Sequence, residues 1–119
     1  MTETHGDSEA DPALEALAAL SNVARVSAEQ LSALDEDLST MQRRRRRGWS
    51  WRRIMAFDGS TEPLSSVAKL LADLAAAIGS FRRALTHALR KEGMRVVEIA
   101  KLLGVSRQRV SAVIRPRRP

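Results

Sequence analysis

Two long stretches of the chain place apolar residues at alternating intervals of three and four, the spacing of an amphipathic helix. One covers residues 17–41, with Ser27 in its one weak position, and the other covers residues 64–88 without a break. Because such a face is not stable in water, both predict long helices that pack in a coiled coil or a bundle. Residues 27–30 also match a capping box, so the first stretch predicts one long helix or two helices in line.

The second stripe is the more regular and is the predicted seam of a dimer or a helix bundle. Its helix is expected over residues 63–92, after a turn in which Thr61 is a suitable N-cap and Pro63 fits the first helical turn. Gly79 is the one weak position of this helix. The seam residues are Leu64, Val67, Leu71, Leu74, Ile78 and Phe81.

Gly104 separates two short apolar patterns near the C-terminus. Glycine adopts positive φ at little cost, so it suits the end of a first helix, and Ser106 is a good N-cap for a second. Ala100 is small enough for the two helices to cross closely. The apolar positions of this helix pair are Ile99, Ala100, Leu103, Val105, Val110 and Val113.

The other face of the second helix carries side chains suited to DNA bases. Arginine can donate two hydrogen bonds to guanine, glutamine can pair with adenine, and alanine can contact the methyl group of thymine. The predicted base-reading residues are Arg107, Gln108, Ser111 and Ala112. Contacts to the DNA backbone, which fix the register without reading the sequence, are predicted for Ser106, Arg109, Arg115, Arg117 and Arg118.

Residues 93–115 resemble the helix-turn-helix of bacterial, actinobacterial-like transcriptional regulators. The resemblance implies a trihelical unit over residues 80–115 whose last helix enters the major groove of duplex DNA. The end of the long helix would then also be the first helix of this unit. A helical hairpin with a purely structural role is the alternative.

The charge changes sign along the chain. Residues 1–40 contain nine acidic residues and one arginine, whereas residues 41–119 contain five acidic and nineteen basic residues. The overall net charge of +6 therefore conceals a strongly basic portion, for which a polyanion is the expected partner. The acidic portion either masks the basic surface, binds a partner protein, or is simply solvated.

Seven arginines lie within residues 43–53, together with Trp49 and Trp51. They predict contacts to the DNA backbone; the alternative is a solvated helix end, where cations suit the helix dipole. The tryptophans are expected in the core beside Ile54 and Phe57, with stacking on DNA as the alternative. The arginines are Arg43, Arg44, Arg45, Arg46, Arg47, Arg52 and Arg53.

A weak internal echo relates residues 48–59 to residues 93–104. When the two segments are aligned on their bounding glycines, Ile54 matches Ile99. The pattern then fails, first at Asp58, where the second segment has an apolar residue. We therefore predict no base-reading residues near the first segment.

The composition argues against an enzyme, a metal site and a membrane protein. The chain has no cysteine and only two histidines, far apart in sequence, which leaves no thiolate site and no Cys/His pair. The acidic residues of the basic portion form no spaced pair for acid–base catalysis. No uninterrupted apolar run approaches the roughly 18 residues of a membrane span, and the N-terminus is acidic rather than cationic. We expect no catalytic residue, cofactor or metal, and a cytoplasmic location at the nucleoid.

The chain is thus predicted to be all-α, with long heptad-patterned helices and a C-terminal trihelical helix-turn-helix. We expect a homodimeric transcriptional regulator that binds specific sequences of double-stranded DNA. The alternatives are a nucleoid-associated protein that binds through backbone charge, and an antitoxin or polymerase-associated interaction module. The predicted organisation is a disordered acidic tail over residues 1–12, a helical region over 13–47, a basic and aromatic segment over 48–62, the long helix over 63–92, the DNA-binding unit over 80–115 and a basic tail over 116–119.

Overall fold

The computed structural model describes residues 10–58 and 61–115. These residues form α-helices and no strand, which confirms the predicted all-α class. Most of the predicted disordered tail and the basic tail with Arg117 and Arg118 lie outside the described residues. The helices are α1 (Pro12–Arg46), α2 (Trp51–Asp58), α3 (Glu62–Lys91), α4 (Val96–Leu103) and α5 (Arg107–Ile114).

The first long stripe forms one unbroken helix, α1. Asp11 precedes the helix as its N-cap, and its side chain accepts a hydrogen bond from the amide of Leu14 at 3.1 Å. Pro12 is the first helical residue, where its missing N–H is not needed. The capping-box pattern at Ser27 is not used, and the Ser27 side chain is instead buried in the middle of the helix. Leu17 and Leu31, which the stripe predicted on the packed face, are exposed. Four other apolar residues of the stripe are half-buried, so the predicted face of α1 is packed in part: Leu20, Leu34, Leu38 and Met41.

The second long stripe forms α3. Its first backbone hydrogen bonds are donated by the amides of Leu64 and Ser65 to the carbonyl of Thr61, so Thr61 occupies the N-cap position as expected. The helix continues through Gly79 without interruption. By length and composition alone α3 also meets the criterion for a membrane span, which the sequence reading did not anticipate, although the core helix of a soluble protein meets the same criterion.

The predicted seam of α3 divides into two rows. Val67 is buried, and Leu74 and Phe81 are half-buried. The alternate members of the seam remain exposed: Leu64 by 48%, Leu71 by 47% and Ile78 by 36%. The sequence pattern therefore gives the correct helical period. Of its two rows, the one with Val67, Leu74 and Phe81 is the more buried.

The chain divides into two compact units, each with its own buried residues. The middle unit is Ser21–Ala75; it contains α2, and Ile54 is its fully buried large side chain. The terminal unit contains the start of α1 up to Leu20 and the described residues from Ala76 onwards, including α4 and α5.

Candidate nucleic-acid interface

A small core joins α4 to α5 within the terminal unit. Ile99 and Ala100 of α4 and Val110 of α5 are buried against one another. Partly buried apolar side chains surround them, and these include Leu89 at the end of α3. Burial of this kind fixes the rotation of α5 about its axis, and so decides which side chains face solvent. The partly buried residues are Leu89, Met94, Val96, Leu103, Val105 and Ile114.

The turn between α4 and α5 has the features expected from the sequence. Gly104 lies in the left-handed region with φ of 70°, and the amide of Val105 donates to the carbonyl of Ala100 at 3.0 Å. The side chain of Ser106 accepts a hydrogen bond from the amide of Arg109 at 3.0 Å. The turn therefore satisfies backbone groups at the end of one helix and at the start of the next.

The start of α4 carries a cap that the sequence reading missed. The Arg95 amide donates to Glu98 Oε1 at 2.9 Å, and Arg95 Nε lies 3.6 Å from the same oxygen. These contacts, the backbone hydrogen bond foremost, lower the pKa of the Glu98 carboxyl below its ordinary value. The signal was present in the sequence, since an acidic residue three positions after the N-cap is half of a capping box.

One face of α5 is left open to solvent. It carries the exposed side chains of Arg107, Gln108, Ala112 and Arg115, whereas Ser111 is only partly exposed. Within the described part of the chain, no hydrogen bond or ion pair engages the side chains of Arg107, Gln108 and Arg115. Their donors are therefore available to a ligand.

This exposed face cannot be assigned through a known relative. Comparison with protein-family models, with curated proteins and with solved structures found no match to this chain. The function must therefore be argued from the geometry and the chemistry of the helix pair itself.

Two further arginines lie close to α5, and the sequence reading did not single them out. Arg82 and Arg83 of α3 line a shallow cavity in the terminal unit together with Arg109 of α5. Apolar side chains such as Val110 and Val113 form other parts of its wall. The signal available in the sequence was a pair of arginines on the helix that precedes α4, but their proximity to α5 depends on tertiary packing.

The second concentration of positive charge lies in the middle unit, where arginines stack on aromatic rings. The Arg53 guanidinium lies 3.8 Å from the centre of the Trp49 ring, and that of Arg44 lies 4.3 Å from the Phe57 ring. Arg45 lies over Trp51 at 5.0 Å. The guanidinium planes are thereby held against the rings while hydrogen-bond donors remain at their edges.

The prediction that both tryptophans belong to the core is wrong. Trp51 is 56% exposed, and Trp49 is half-buried, with its ring edge-on to Phe57 at a centroid distance of 5.5 Å. Phe57 is itself exposed. The reason is that α2 has only eight residues, and Ile54 alone occupies its fully buried position.

The internal echo has a structural counterpart at the ends of α1 and α3. Gly48 and Gly93, 45 residues apart, both have positive φ. At each corner an arginine Nη1 donates to a backbone carbonyl four residues later, from Arg45 at 3.0 Å and from Arg90 at 3.1 Å. The next helix, α2 or α4, has eight residues and one fully buried isoleucine in the same position. The likeness therefore extends from the helix end through the following short helix.

Proposed function

We propose that this protein binds specific sequences of double-stranded DNA, with α5 in the major groove, and acts as a transcriptional regulator at the nucleoid. The main support is the orientation of α5. Val110 buries one face of this helix against α4, and the opposite face exposes arginine and glutamine side chains that have no partner among the described residues. The resemblance of residues 93–115 to a bacterial helix-turn-helix supports the same use of this helix.

The residues of α5 have distinct roles in this proposal. Arg107 and Gln108, in the first turn, reach base edges, and Arg suits guanine as Gln suits adenine. Ala112 contacts a thymine methyl group, and the half-buried Ser111 stands at the margin of the reading face. Arg115 and Arg109 contact phosphates, as does the capped amide end of the helix at Ser106.

Arg82 and Arg83 extend the set of backbone contacts. They line the same cavity as Arg109, and in this proposal the phosphate that contacts Arg109 is also contacted by one or both of them. Each additional phosphate contact raises affinity for any sequence and steepens the dependence of binding on salt. These two residues therefore contribute to affinity rather than to choice of sequence.

A nucleoid-associated protein that binds DNA by charge is the second candidate, and the arginine cluster of the middle unit favours it. The exposed residues among Arg43–Arg47, Arg52 and Arg53 suit phosphates of any sequence. In this second account the base-facing residues of α5 contribute little, and the protein discriminates weakly between duplexes.

Duplex affinity measured after selection from random DNA decides between the two candidates. If the protein reads sequence, we expect it to bind the duplex enriched by this selection roughly 10³-fold or more tightly than a scrambled duplex at about 150 mM salt. Replacing Arg107 and Gln108 together by alanine removes most of that preference. Lys101→Ala is the matched control, because it removes one positive charge from an exposed position on α4 in the same unit. Equal binding of both duplexes by all three proteins would reject base reading through α5.

A further inference from the structure

The turn from α1 into α2 leaves a large aromatic ring in solvent. Trp51 is the first residue of α2 and is 56% exposed, whereas Ile54 fills the buried position of this short helix. The indole N–H of Trp51 donates to no acceptor among the described residues. A tryptophan contributes to folding mainly through the area that it buries. The exposed part of this ring therefore remains available to a ligand.

The Trp51 ring already holds one flat cation. The guanidinium group of Arg45 lies over the ring at 5.0 Å from its centre, and Arg45 Nη1 also donates to the carbonyl of Trp49 at 3.0 Å. Together these contacts hold the Arg45 side chain against the ring. Since more than half of the surface of Trp51 is open to solvent, a second flat group can stack there beside the cation.

Positive charge surrounds this ring. Residues 38–57 contain seven arginines and no acidic residue. The exposed side chains of Arg47 and Arg52 make no hydrogen bond, ion pair or ring contact within the described part of the chain. Guanidinium groups bind phosphates well. The α1–α2 corner, residues 43–53, thus combines an open ring for a base with free cations for phosphates.

Trp49, in the same corner, differs from Trp51. It is half-buried, and the guanidinium groups of Arg44 and Arg53 lie 4.9 Å and 3.8 Å from its ring centre. Its ring also meets Phe57 edge-on at 5.5 Å. Trp49 therefore serves to hold the corner together, and Trp51 is the tryptophan that has room for a ligand.

We propose that the α1–α2 corner binds single-stranded DNA or RNA, with a base stacked on Trp51 and neighbouring phosphates bound by Arg47 and Arg52. Every unpaired base offers a free ring face, so such stacking tolerates any sequence. In a duplex that face is covered by the neighbouring base pairs, and separating them is unfavourable. The site uses no residue of α5, so it does not depend on base reading by that helix.

The stacked cation argues against an anionic membrane surface as the ligand. A tryptophan strengthens membrane binding when its ring enters the boundary between headgroups and acyl chains. Here Arg45 lies on the ring and Arg52 follows it in the chain, so burial of Trp51 in lipid would draw both charges toward the hydrocarbon. A base can join the stack while the guanidinium groups stay in water. The observed contacts therefore favour a nucleic acid.

Strands with and without bases test the stacking. The full chain is titrated against a labelled oligothymidine of about 20 nucleotides, and against an abasic strand of equal length, at about 150 mM salt. We expect wild type to bind oligothymidine with a dissociation constant of about 1–100 µM. The abasic strand should bind roughly 5- to 100-fold more weakly, because it offers phosphates and no ring. Equal affinities for the two strands would reject base stacking.

Variants assign the stacking to one ring. Trp51→Ala should abolish the difference between the two strands with unchanged helical circular dichroism, and Trp51→Phe should keep most of it. Phe57→Ala is the matched control, because Phe57 is exposed on the same helix but lies about 120° around it from Trp51. It should discriminate between the strands as wild type does. A loss as large as that of Trp51→Ala would reject Trp51 as the stacking residue.

Tryptophan fluorescence separates the possible ligands. Trp49→Phe leaves Trp51 as the one tryptophan of the chain. Oligothymidine should quench its emission, as should an oligouridine RNA, and the abasic strand should quench it little. Equal quenching by a hairpin duplex would overturn the preference for single strands. A shift to shorter wavelength with phosphatidylglycerol vesicles, without quenching by oligothymidine, would assign the corner to lipid.

The α5 proposal is tested separately from this one. The double variant of Arg107 and Gln108 to alanine should bind oligothymidine as wild type does. Trp51→Ala should keep the preference for the enriched duplex over a scrambled one. If the double variant lost oligothymidine binding, the strand would be bound at α5, and the proposal for the α1–α2 corner would be wrong.

Discussion

Gly104 is the residue whose backbone the helix pair depends on most directly. Its φ of 70° is unfavourable for any residue with a Cβ, although a Cβ there would meet no atom within 4 Å. Gly104→Ala should therefore lower the free energy of unfolding by about 1–2 kcal/mol through backbone strain alone. Gly104→Asn should lower it less, since asparagine tolerates this conformation better. Urea denaturation followed by circular dichroism measures both changes, and equal stability of all three proteins would contradict this account of the turn.

Glu98 gives a prediction about pH. Its pKa is lowered in the folded chain, chiefly by the hydrogen bond from the Arg95 amide, so the ionised carboxylate favours folding. That contribution is complete above the ordinary pKa of 4.5 and is lost as the pH falls through the lower folded value. Glu98→Gln should therefore be slightly less stable than wild type at pH 7 and equal to it at low pH. Thermal melts across this range check it; a constant difference at every pH would exclude the charge as the cause.

The local signals of the site could be predicted from the sequence because each depends on neighbours only a few residues away. Gly104 and Ser106 have the conformations that their residue types indicate. The stacking of Arg44 and Arg53 on Trp49 could not be predicted, because Trp49 lies in the turn between α1 and α2 and the path of that turn decides whether its ring meets the arginines of the two helices.

At the scale of the element, α4 offers a comparison between two apolar residues on one short helix. Ile99 is fully buried, whereas Leu102 is 63% exposed. Ile99→Ala should cost about 2–5 kcal/mol of stability, because it removes packed atoms and leaves a cavity. Leu102→Ala should change stability by less than about 0.5 kcal/mol. Thermal or urea unfolding of the two variants checks the assignment, and similar losses would mean that α4 packs on a different face.

The long helix α3 shows what the periodicity of apolar residues in a sequence can and cannot determine. The spacing of three and four establishes that α3 is a helix with an apolar side, and the structure bears this out. It does not establish the rotation of that helix. Val67 and Leu71 belong to adjacent rows, and only packing against the rest of the chain decides that the first is buried and the second is exposed. A helix that is apolar over a broad arc therefore permits more than one packed face.

At the scale of the whole molecule, positive charge should govern affinity while α5 governs choice of sequence. Replacing Arg43, Arg46 and Arg47 by glutamine removes exposed guanidinium groups that stack on no ring in the described structure. The slope of log affinity against log salt should then fall by about 0.9 for each of them that contacts a phosphate. The preference for the enriched duplex over a scrambled one should persist. A salt slope unchanged from wild type would place this cluster away from DNA.

Base reading by a side chain of α5 can be tested at single base pairs with a single-substitution library of the enriched duplex. For wild type, each wrong base pair at a contacted position should weaken binding by about 1–3 kcal/mol. For Arg107→Ala, this penalty should disappear at one or two adjacent base pairs and persist at the others. A uniform loss of affinity at every position, or a pattern identical to that of wild type, would contradict base reading by Arg107.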